Sequence, residues 1–71
     1  MQYAVIIEKE TTSDWSAYLP DLPGCVAVAK TREEVQRLIR EAIEIHLEGM
    51  REDGEPIPEP KSFAETIEVA A

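Results

Sequence analysis

Three kinds of side chain in this sequence could do chemistry: a lone thiol, a lone imidazole and a set of carboxylates. Cys25 stands directly behind a Pro-Gly pair in the stretch DLPGC, Asp21 to Cys25. A thiol becomes a nucleophile when a nearby cation, base or helix N-terminus lowers its pKa. Its neighbours in the chain, Gly24 and Val26, supply none of these. The imidazole, His46, falls among apolar residues at helical spacing, and no third residue is marked to orient a Cys25–His46 pair for nucleophilic catalysis. Cys25 is therefore expected to pack in the interior, as free cysteines commonly do. His46 is expected to be a half-buried packing residue. A thiol enzyme would instead show Cys25 reacting rapidly in the folded state.

Glu8, Glu10, Asp14 and Asp21 could offer oxygen ligands to a hard cation. They lack a defined spacing, however, and read as a solvated acidic rim. No Cys or His pair has metal-ligand spacing, and no glycine-rich phosphate loop is present. The sequence thus predicts no catalytic residue, no metal ligand and no cofactor.

The acidic residues matter more as a field than as ligands. Fifteen acidic residues against seven basic ones give a net charge of −8. Phosphate backbones are repelled by such a surface, so direct nucleic-acid binding is not expected. A basic protein partner would be steered towards it. On charge alone, Glu8, Glu10, Asp14 and Asp21 are the expected contacts.

The elements that must position these residues are few. Seventy-one residues make a single domain, 1–71. A chain this short buries only about 60% of its unfolded surface, which leaves a thin core. Yet 44% of the residues are hydrophobic, which points to burial between subunits, in a homodimer or higher homo-oligomer. The single cysteine excludes an internal disulfide and fits a reducing compartment. The start, MQYAVII, lacks the features of a signal peptide, and no run approaches the roughly 18 apolar residues of a membrane span. A cytoplasmic protein without membrane contact is expected.

Tyr3–Lys9, YAVIIEK, reads as a strand, and Trp15–Leu19, WSAYL, as a second across a short polar connection. In DLPG, Pro23 presets φ at the second turn position and Gly24 supplies the positive φ of the third. Cys25–Ala29, CVAVA, makes a third strand. Thr31 and Glu34 form a T-x-x-E capping box that opens a helix. Val35, Leu38, Ile39, Ala42, Ile43, His46 and Met50 then recur on one face, and Gly54 marks the stop. GEPIPEP, residues 54–60, reads as an extended linker, and Glu65–Ala70 as a last strand. The fold class is α+β, in the order β-β-β-α-β. One helix covers one face of such a sheet, yet Val26 and Val28 oppose Cys25, Ala27 and Ala29 in the alternation. Both faces therefore carry apolar residues, and the uncovered one is expected to bind something.

The turn DLPGC, the capped helix TREEVQRLIREAIEIHLEGM and the segment EDGEPIPEP together resemble the N-terminal domain of the HicB antitoxin family, over Tyr3 to Val69. The resemblance implies a partial ribonuclease H-like fold: one mixed sheet, its first three strands antiparallel and its last parallel beside the first, with a single long helix packed on one face. It implies an antitoxin that masks the active face of HicA, a small basic ribonuclease that cleaves messenger RNA. True ribonuclease H enzymes carry a metal-binding carboxylate in the middle of the first strand; here that position reads Val5, Ile6, Ile7, and no enzyme activity is expected. Many members continue into a DNA-binding domain. None follows here, so operator binding is not expected of this chain. The alternative is a stand-alone oligomeric domain of the same family without a toxin, binding a small ligand or serving as a degenerate, non-catalytic scaffold.

Overall fold

The computed structural model describes residues 1–70. Three strands, β1 (Ile6–Lys9), β2 (Trp15–Leu19) and β3 (Leu22–Ala29), form an antiparallel sheet in the order β1-β2-β3. One helix, α1 (Arg32–Glu52), packs across one face. The β1–β2 loop is closed by the Glu10 amide donating to the Asp14 carbonyl at 2.7 Å and the Ser13 amide donating to the Glu10 carbonyl at 3.1 Å. Ser13 adopts φ 73° there.

The first strand begins later than the sequence predicts. Ile6 pairs with Tyr18, and the next residue of β2, Leu19, turns to pair with Leu22. Tyr3, Ala4 and Val5 thus run past the end of their partner and have no ladder to join. The turn is also displaced from its expected place. It falls at Pro20–Asp21, while Pro23 and Gly24 lie inside β3 at a register irregularity. Pro23 has no amide to contribute to a ladder and is tolerated at such a bulge. Gly24 supplies the bend with φ +86°. The irregularity lets Leu22 and Cys25, three residues apart, both enter the core, at 1% and 3% exposure.

The helix begins where the sequence places it, with the Thr31 half of the capping box formed. Thr31 is the N-cap, its Oγ1 accepting from the Glu34 amide at 3.1 Å. At the other end, the Gly54 amide donates to the Arg51 carbonyl and the Glu55 amide to the Met50 carbonyl, with Gly54 at φ +70°. This is the Schellman arrangement that a left-handed residue permits. Val35 and Ile39 are buried, and Leu38, Ala42, Ile43 and Leu47 pack beside them. They close over Ala17, Leu19, Leu22, Cys25 and Ala29 from the sheet. His46 and Met50 are half-buried at the edge of the same face.

Beyond the helix, the chain from Glu55 to Ala70 has no regular secondary structure. The Tyr3 hydroxyl donates to the Pro58 carbonyl. Asp21 fixes the next stretch, accepting from the Lys61 amide at 2.8 Å, the Ser62 amide at 2.9 Å and the Ser62 hydroxyl at 3.0 Å. These bonds favour the carboxylate and hold the Asp21 pKa below its ordinary value. The strand expected at Glu65–Ala70 does not form, and the sheet is purely antiparallel rather than mixed. A strand needs a neighbour for its backbone groups, and this segment lies exposed along its whole length with none.

Candidate partner-binding surface

The strand register sorts every sheet residue onto one of two faces. Ile7, Ala17 and Ala27 align in one row and Lys9, Trp15 and Ala29 in another, both towards the helix. The alternate rows, Ile6–Tyr18–Val26 and Glu8–Ser16–Val28, point away from it. No element among the described residues covers them. Tyr18 is 41% exposed, Val26 63% and Val28 62%. A contiguous apolar patch of this kind, with polar groups at its margin, is the usual mark of a protein-binding surface.

The acidic residues divide between the two ends of the sheet. Glu8 belongs to the uncovered face, opposite Ser16, and forms no ion pair among the described residues. Glu10 lies beside it, its Oε1 accepting from the Ser16 hydroxyl at 2.7 Å. Asp14 closes the same hairpin and takes the Lys30 ammonium at 3.0 Å, which cancels part of its charge. Lys9 sits 5.9 Å from the centroid of the Trp15 ring. Asp21 stands apart at the β2–β3 turn, with its oxygens occupied by Lys61 and Ser62. Glu8, Glu10 and Asp14 therefore share one corner with the apolar face, and Asp21 does not join them.

The remaining residues singled out by the sequence are framework. Pro23 and Gly24 shape the bulge, while Thr31, Glu34 and Gly54 end the helix. Burial of Cys25 pushes its thiol pKa up, opposite to what a nucleophile requires. Among the described residues, no group of three or more His, Cys, Asp or Glu side chains could hold a metal. Among the described residues, no helix is long and apolar enough to cross a membrane. Charge alone points to the acidic corner and passes over Ile6, Tyr18, Val26 and Val28. The signal for those four is the period-two alternation, which shows that two apolar faces exist; the register is needed to say which residues share the open one.

A UPF0150 protein of Archaeoglobus fulgidus is 40% identical over 57 residues, covering 78% of this chain and 83% of that protein. A UPF0150 protein of Thermoplasma acidophilum is 38% identical over the full length of both. Among solved structures, the N-terminal domain of the Burkholderia pseudomallei antitoxin HicB superposes with a TM-score of 0.79 at 28% identity, covering 89% of this chain and 74% of that one. The family described as HicB-like antitoxin of bacterial toxin-antitoxin system matches residues 3–70. With its three antiparallel strands, single long helix and open sheet face, the chain belongs to this HicB-like antitoxin family.

Proposed function

We propose that this protein neutralises a small basic ribonuclease of the HicA type by covering the toxin's active face with its own open sheet face. The observation that carries this reading is the exposed apolar surface of Tyr18, Val26 and Val28, bordered by Glu8 and Glu10. The valines and tyrosine would supply the area withdrawn from water, and the tyrosine a rigid anchor. The acidic corner and the net charge of −8 would speed the approach of a cationic partner more than they tighten the final complex. Neutralisation would then be steric, since RNA cannot reach a catalytic face that is already occupied.

The test is stoichiometric inhibition of RNA cleavage by a purified HicA-type toxin. Full inhibition near one antitoxin site per toxin is expected. Tyr18→Ala with Val26→Asp should abolish it, leaving the helical circular dichroism unchanged. Reversal of Glu8 and Glu10 to lysine should slow association and flatten its salt dependence. Undiminished inhibition by the Tyr18–Val26 variant would place the toxin on another surface.

A further inference from the structure

The charges of this chain are sorted between the two faces of its sheet. None of the seven basic residues belongs to the open rows Ile6–Tyr18–Val26 and Glu8–Ser16–Val28. The four arginines all lie on α1, which packs against the opposite face. Lys9 falls in the row that faces the helix, its ammonium 5.9 Å from the centroid of the Trp15 ring, within reach of a cation–π attraction. Lys30 gives its ammonium to Asp14 at 3.0 Å, and Lys61 lies in the tail, its amide donating to Asp21.

Two carboxylates remain on the open side with no cation beside them. Glu8 stands opposite Ser16. The Ser16 hydroxyl, donating to Glu10 Oε1 at 2.7 Å, draws the Glu10 carboxylate to the same side. Strand alternation sets this pattern, because Glu8 and Glu10 are two residues apart and Lys9 between them points the other way. Screening limits an exposed charge to about 8 Å at physiological salt. The side on which a charge stands therefore decides what a docking partner meets. Along the open face, the apolar row Ile6–Tyr18–Val26 lies nearer the β2–β3 turn and the acidic pair nearer the β1–β2 loop.

Resting on the open face as the toxin-binding surface, we propose that Glu8 and Glu10 are the residues that select the partner. They fit a protein element that sets an apolar side chain against Tyr18 and Val26 and an arginine or lysine at the β1–β2 loop end. Selection comes from keeping Lys9 off this face, and not from net charge alone. Asp14 and Asp21 take no part, since Lys30 occupies the one and the amides of Lys61 and Ser62 the other.

Moving one charge at constant total tests this. Lys9→Gln with Ser16→Lys keeps the net charge at −8, one cation being lost and one gained. It transfers that cation from the helix side to the open side, opposite Glu8. Association with a purified HicA-type toxin, followed by stopped flow at low salt, should slow about tenfold, with a flatter salt dependence. Ser16→Gln adds bulk and loses the hydroxyl without the charge, and Lys9→Gln loses only the hidden cation. Each of these alone should associate within about twofold of the parent. Equal rates for the parent and the relocated chain, or equal slowing by Ser16→Gln, would overturn the proposal. The Tyr18→Ala with Val26→Asp chain separates the two layers of the reasoning. If it still inhibits RNA cleavage, the face is wrong and the selection falls with it. If it fails to inhibit while relocation leaves association unchanged, the face stands and the charge sorting alone is refuted. A dimer of the chain alone that Val26→Asp abolishes in sedimentation equilibrium would give the face to a second copy, and would also overturn the proposal.

Discussion

Val35 and Val28 offer a matched test of the sidedness on which the binding surface depends. Val35 lies on α1 at 0% exposure, and Val28 lies on β3 at 62%. Val35→Ala removes two carbons from a closed interior. The lost transfer free energy and the residual cavity together, offset by the better helix preference of alanine, make a cost of about 2 kcal/mol. A domain of this length has roughly 7 kcal/mol of stability, so the melting temperature should fall by about 8–16 °C. Val28→Ala removes the same two carbons from a side chain that is mostly in water. Its cost, including the poorer fit of alanine in a strand, should stay below about 1 kcal/mol. Urea and thermal melts followed by the helical circular dichroism, at one protein concentration, would measure both. Equal costs would mean that Val28 is already covered in the free protein, and the open-face reasoning would fail.

Three further outcomes follow from particular residues. Cys25 should resist alkylation in the native protein at mildly alkaline pH and react at once in denaturant, since its burial raises the thiol pKa; rapid native modification would return the thiol-enzyme reading. Asp21 has a folded pKa below its unfolded value, so the unfolded state binds more protons and stability rises with pH across that interval. The anchoring of Lys61 and Ser62 should therefore be complete above the ordinary carboxylate range and be lost as pH falls through the lowered folded value. Amide exchange at those two positions would show it, with Asp21→Asn exchanging fast throughout; pH-independent protection would refute the link. Gly24→Ala meets no atom within 4 Å of the added Cβ, yet φ is +86°. The cost should be purely conformational, about 1–2 kcal/mol, and a neutral result in a urea melt would show that the bulge relaxes to another backbone shape.

The local signals in the sequence were sufficient for the helix, whose start at Thr31 and stop at Gly54 are written in capping chemistry that acts within a few residues. They were sufficient for β2, bounded by polar residues and by Pro20, and for the two-faced character of the strands. They also gave the interior place of Cys25, because no neighbour along the chain could activate the thiol and a free cysteine packs readily in a core. The turn was misplaced because Pro23–Gly24 carries the residue types of a turn and of a bulge alike. Only the pairing of Leu19 with Leu22 decides between them.

What the amino-acid sequence determined by itself was therefore whatever depends on neighbours along the chain: caps, periodicities, net charge and the absence of a marked nucleophile. The tertiary structure decided what depends on residues far apart. It sent Asp21 to hold the backbone of Lys61 and Ser62, leaving Glu8, Glu10 and Asp14 at the other end of the sheet. It aligned Ile6, Tyr18 and Val26 into a single open row. It also left residues 65–70 without a partner, because a strand is defined by the edge it pairs with, and no pattern within a segment says which edge that is.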